Sequence, residues 1–245
     1  MNTSLVIRRA VQAFLPATLL LAACSKSDVP APAPAVDQGQ VVFINAASHI
    51  APTTLKFLVD NTQKASQDYG TSSGYQAIPT GSRAVQVTAG TQTALNQTIT
   101  VEKNKNYTFV ATPVASTSAV GGLLFADDLT APAATKARIR VINLGQGLAT
   151  PIRLAQATAV AGAGVIVNDV AANAASAFTE FIPGSYSLFI SDNMNNSLVV
   201  VGDGTGTGAG TKNYEAGKIY TVVVSGTAGS LNQNQQLKAF LSQNN

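Results

Sequence analysis

Beyond Gly39 the chain is a succession of short β-branched and aromatic runs separated by Gly, Pro, Asn and Ser, with almost no 3.6-residue apolar periodicity. That pattern confines it to strands and turns. The expected strands in the first half are 40–46, 55–60, 84–89, 98–101, 106–112 and 122–126. In the second half they are 137–143, 152–155, 165–167, 185–191, 198–201, 219–225 and 237–241. Arg138 and Arg140 alternate with Ile139 and Val141, so that strand is expected to bury one face and wet the other.

The two halves repeat one another. Val41-Phe43-Ile44-Asn45 returns as Ile139-Val141-Ile142-Asn143, Ile78-Pro79-Thr80-Gly81 as Ile182-Pro183-Gly184, and 102–108 as 215–221, at offsets of 98, 104 and 113 residues. Growing offsets mean insertions in the second copy, the later one around 202–211. In the third match Asn104 stands where Gly217 stands, and both residue types tolerate positive φ in a tight turn. Tyr107 and Tyr220 then open the next strand. Fragments 36–132 and 133–245 each hold a full strand set and a core of workable size, so each is expected to fold.

The N-terminal segment carries an address. Arg8 and Arg9 precede an apolar stretch over 10–23, interrupted by Pro16 and closed by Leu21-Ala22-Ala23-Cys24, the last being the only cysteine. The stretch is short for a spanning helix, which needs about 20 apolar residues. It resembles a bacterial lipoprotein signal peptide. The resemblance implies cleavage after 1–23 and diacylglyceryl transfer to the thiol of Cys24, so that acyl chains hold the protein on a membrane. Ser25 next to it, rather than Asp, favours the outer membrane. Residues 24–39, with Val29-Pro30-Ala31-Pro32-Ala33-Pro34-Ala35, read as an extended stalk.

Charge narrows the partners. The whole chain has 15 basic against 12 acidic residues, and the leader holds two of the basic ones and no acid. What remains is nearly neutral and scattered, which argues against nucleic acid.

The chain also resembles a known family, domain of unknown function 4397. The residues that carry this are Val41-Val42-Phe43-Ile44-Asn45-Ala46-Ala47-Ser48, Ala51-Pro52, 55–60, Tyr69-Gly70 to Tyr75, Pro79-Thr80-Gly81, 102–108, and 124–132 running into Ala137-Arg138-Ile139-Arg140-Val141. The likeness covers nearly all of the first repeat and the second more loosely. His49-Ile50 and 145–150 depart from the family pattern. It implies an all-β fold of two tandem immunoglobulin-like β-sandwich domains, 40–132 and a divergent 133–245, after the signal peptide and Pro/Ala linker. It supplies no catalytic residues.

The chemistry-bearing residues are few. His49 is the only histidine, and no G-x-S-x-G context surrounds a serine. It is read as a loop residue. Asp127-Asp128 reads as an inter-domain turn rather than a calcium site, which wants six or more oxygens, and Asp192-Asn193 with Asn195-Asn196 reads as another turn. The Gly-rich stretch 202–212 lacks the Gly-Lys-Ser/Thr and following helix of a phosphate loop. Tyr69 and Tyr75, in a Ser/Gly-rich segment, are the candidate ligand contacts, with core packing as the equal alternative. The expectation is a lipid-anchored, non-catalytic envelope protein without cofactor or metal, whose partners are the membrane and an envelope glycan or protein. The alternative is a glycan- or polymer-binding module.

Overall fold

The structure, a computed structural model, describes residues 36–114, 119–148, 151–156, 164–202 and 210–245. Cys24, the leader and Asp203 lie outside them.

The chain is nearly all sheet. The first half contains β1 (Gln38–Asn45), β2 (Leu55–Val59), β3 (Thr62–Gln67), β4 (Ser72–Pro79), β5 (Gly81–Ala89), β6 (Gln92–Val101), β7 (Asn106–Pro113) and β8 (Val120–Asp127). They form two four-stranded sheets, ordered β4-β1-β7-β8 and β3-β2-β5-β6. The second half contains β9 (Ala137–Gln146), β10 (Ile152–Gln156), β11 (Val165–Val170), β12 (Ala174–Ala175), β13 (Thr179–Phe181), β14 (Gly184–Tyr186), β15 (Leu188–Ser191), β16 (Ser197–Val200), β17 (Lys212–Tyr214), β18 (Ile219–Thr227) and β19 (Lys238–Gln243). Here β9 and β18 lie between β12 and β19, with β13 also on β9, and the facing sheet runs β11-β10-β15-β16.

The pairing order of the second half parallels that of the first. β1 pairs in parallel with β7, placing Val41 against Tyr107, and β9 pairs in parallel with β18, placing Ile139 against Tyr220. β5 is split into β14 and β15, and β6 into β16 and β17: Gly81 faces Val101 in one copy and Gly184 faces Tyr214 in the other. The insertion that the offsets demand falls between β16 and β17. β3 and β4 lay outside the expected strands because Thr62–Gln67 is a polar edge and Ser72–Pro79 opens on Ser-Ser-Gly, which reads as turn.

Strand alternation distributes the side chains of the central sheets among three cores. Val41, Phe43, Tyr107 and Phe109 point into the first sandwich; Ile139, Val141, Tyr220 and Val222 point into the second. The intervening Val42, Ile44 and Val110 meet Ile142, Leu144 and Val223 in a third core between the halves. The inner sheets are therefore buried on both faces, which is why β1 and β18 are apolar at successive positions such as 41–44 and 222–224 rather than at alternate ones.

The two 102–108 and 215–221 turns match in detail. Asn104 has φ +57° and Gly217 φ +80°, and the Tyr107 and Tyr220 hydroxyls accept the Glu102 and Glu215 backbone N–H at 3.3 and 3.1 Å. A Cβ at Gly217 would meet nothing within 4 Å, so the glycine serves its backbone angle alone. Gly217→Val should cost about 1 kcal/mol or more by strain, while Asn104→Gly should be near neutral. Denaturant unfolding of the two variants checks this, and equal losses would contradict it.

Candidate functional site

The most constructed polar site lies in the seam between the halves, and it is built around Arg140. In the sandwich face its neighbours on β9 are apolar, yet Arg140 is 2% exposed. The expectation that this strand wets its Arg face is corrected here, because that face meets the other half rather than water. Arg140 Nη2 lies 2.6 Å from Asp127 Oδ1 and donates to Thr108 Oγ1 at 2.8 Å; Nε donates to Thr221 Oγ1 at 3.1 Å, and Nη1 to the Ala126 carbonyl at 3.1 Å. The Phe178 ring covers the guanidinium at 4.6 Å.

The hydrogen bonds close into a ring. Thr108 and Thr221 each accept from Arg140, then donate to Asp127 Oδ2 at 2.7 Å and to Asn244 Oδ1 at 2.8 Å. The Tyr75 hydroxyl completes the circuit: it donates to Asp127 Oδ2 at 2.6 Å and accepts from Asn244 Nδ2 at 3.2 Å. By strand register Thr108 corresponds to Thr221, Asp127 to Asn244, Tyr75 to Phe178 and Val42 to Arg140. The seam is thus a pseudo-symmetric face in which one apolar position has become a cation and one amide its counter-ion.

This arrangement fastens: Arg140 and Asp127 are paired at low exposure, and the Thr108, Thr221 and Tyr75 hydroxyls each donate within it. Burial and the Asp127 charge push the Tyr75 hydroxyl well above the usual tyrosine range. The bond therefore keeps full strength below the ordinary tyrosine titration and fades only as pH climbs through the raised value. At the rim, Asp128 accepts from Arg138 Nη2 at 2.7 Å, a bond that with Thr130 holds its carboxyl well below the usual range. Asp127 is accordingly the end of β8 and part of the core, not a turn residue, and only Asp128 faces solvent.

Tyr69 and Tyr75 both lie at this seam, with different partners. Tyr69 is half-buried with its ring 6.1 Å from Phe240 and Lys238 Nζ 5.5 Å above it; Tyr75 joins the third core. Around them, Ser72 and Ser242 hydroxyls pair at 2.8 Å and Ser225 donates to the Ala46 carbonyl at 2.6 Å. His49 sits half-buried on the 3-10 turn Ser48–Ile50, where its carbonyl faces Gln235 Nε2 at 3.5 Å. Sequence reasoning missed Arg140, Thr108, Thr221 and Asn244; their signal was an arginine and two threonines inside otherwise apolar runs.

Asp192 closes its own turn, accepting from Met194 N, Asn196 N and Asn196 Nδ2 at 2.8–2.9 Å. Among the described residues no group of three or more His, Cys, Asp or Glu is placed to hold a metal, and no helix is long and apolar enough to cross a membrane. A cleft of about 770 Å³ opens between the β6–β7 turn and the segment after β8, with Asn104, Lys105, Asp128 and Thr130 at its walls.

Among solved structures, the chain is similar to the C-terminal domain of AlgF from P. aeruginosa, at 21% identity over 44% of this chain and 98% of that one, TM-score 0.30. It is also similar to the tip fimbrial protein Mfa3 from Porphyromonas gingivalis (8% identity, 86% and 100% covered, TM-score 0.28). A third is CBMbc, a family CBM26 module of Eubacterium rectale Amy13K, solved with maltoheptaose (10% identity, 81% and 100% covered, TM-score 0.23). No curated protein matches the chain. The family model "Domain of unknown function (DUF4397)" matches residues 39–148, a span that runs past the junction into β9 and holds both Asp127 and Arg140.

Proposed function

We propose that this is a lipid-tethered, non-catalytic protein of the bacterial cell envelope. In this reading two sandwiches locked into one stiff block stand off the outer membrane on a Pro/Ala stalk. Its role is structural, adhesive or partner-holding. The observation that carries the reading is the pairing of Leu21-Ala22-Ala23-Cys24 and its following Pro/Ala run with a body whose most buried charges, Arg140 and Asp127, are spent on fastening one half to the other. A catalytic base must be free to reach a substrate, and these groups face inward.

Cys24→Ser tests the anchor, because serine offers no thiol for acyl transfer. Metabolic palmitate labelling with membrane fractionation should show loss of label and accumulation of unprocessed precursor. Persistent labelling of the variant would overturn the reading.

A further inference from the structure

We propose that the outer face of the β11-β10-β15-β16 sheet is the surface on which a second copy of this chain packs, face to face, through an apolar row centred on Phe189. One register line crosses all four strands: Val165 pairs with Ala155, Ala155 with Phe189, and Phe189 with Val200. Their strand neighbours Leu154, Leu188, Ile190 and Val201 fill the second core, and none of the four belongs to it. By strand alternation the row therefore stands on the opposite side of the sheet. Val200 is 40% exposed, Phe189 and Val165 are half-buried, and the small Ala155 between them is buried.

The first copy shows what the fold itself asks of these positions. Phe57 pairs with Val87 as Leu154 pairs with Ile190, so Gln86 stands where Phe189 does. The matching row of the first sandwich runs Gln63, Leu58, Gln86 and Asn96, and its ladders shift at the same steps as those of the second. There Gln86 Nε2 donates to Thr93 Oγ1 at 3.2 Å. An antiparallel sheet that faces water carries polar residues on that side, as the first copy does. In the second copy Val165, Phe189 and Val200 occupy the places of three amides. The strand framework makes no such demand, and an exposed apolar row of this kind marks a contact surface.

Charge and precedent point to a second copy. The row holds no charged residue, and Arg153 beside it is closed off by Asp169 at 2.9 Å and the Asn193 carbonyl at 3.0 Å. Two identical faces therefore meet without like-charge repulsion, as an isologous contact about a two-fold axis requires. A charged partner finds no counter-charge in the row. The chain already buries sheet faces of this kind against its own repeat, where Val42, Ile44 and Val110 meet Ile142, Leu144 and Val223. The row is short, so the contact is weak and reversible rather than obligate. Copies tethered to one membrane, as in the reading above, meet at raised effective concentration; the face itself does not depend on the anchor.

The test places a photoreactive benzophenone side chain at Val200 of the full chain in cells that make it, with Asn96, the same position of the first sandwich, as the control site. Irradiation should give an adduct of twice the chain's mass from Val200, joined to β15 or β16 of a second copy when mapped by mass spectrometry. Asn96 should give about tenfold less. Phe189→Gln, which installs the residue that the first copy carries there, should cut the Val200 adduct about tenfold with an unchanged urea midpoint, because each copy loses its central ring. Equal yields from the two sites, an undiminished adduct in Phe189→Gln, an adduct with a different protein, or a crosslink confined within one chain would overturn the proposal. None of these outcomes touches the anchor, which the Cys24→Ser labelling decides separately.

Discussion

Replacing Asp127 by alanine is expected to cost about 3–5 kcal/mol of folding stability, the penalty for leaving a buried cation without its partner. Arg140 cannot escape to water, being held on one side by Thr108 and on the other by Thr221 within the seam. The copies name the repair: Arg140→Val combined with Asp127→Asn installs the residues that Val42 and Asn244 already place at the equivalent positions. That double variant should lose less than the sum of its single changes by about 2 kcal/mol or more. Denaturant unfolding of the four proteins gives the cycle. A loss under about 1 kcal/mol in Asp127→Ala would mean that the pair contributes no more than an exposed one.

Phe109→Ala should cost a similar 3–5 kcal/mol, by a different route. Phe109 is fully buried at the centre of the first sandwich, with Phe43 at 6.0 Å and Phe57 edge-on at 6.3 Å. Removing the ring leaves a void that strands fixed by ladders on both sides cannot collapse to fill. Leu231→Ala, at a position 99% exposed, is the control and should change stability by less than about 0.5 kcal/mol.

Most of the strand framework was legible in the sequence, because β-branched runs and their Gly/Asn punctuation are local signals. The two matching turns were legible too, down to the positive φ at Asn104 and Gly217, since a turn imposes its geometry on its own residues. The seam was not. The alternation Arg138-Ile139-Arg140-Val141 signals two faces but cannot say whether the second faces water or another sheet, and Arg140 and Arg138 went to different fates within two residues. Asp127 and Asp128 divided in the same way, one into the core and one to the rim. Tyr75 reads from sequence as a loop aromatic because Ser72-Ser73-Gly74 precede it, whereas the long-range pairing of Tyr75 with Val42 makes that segment a strand.

Cutting the chain at 132 would part Asp127 from Arg140 and open Val42, Ile44 and Val110 on one piece and Ile142, Leu144 and Val223 on the other. The halves are thus expected to stand or fall together within the intact protein. The most direct measurement is urea unfolding of the full chain followed by amide resonances on both sides of the seam, such as Phe57 and Val87 in the first sandwich and Leu154 and Ile190 in the second. A single block predicts that all four sets vanish with one midpoint, and that Asp127→Ala separates them; two distinct midpoints in the unaltered protein would contradict it.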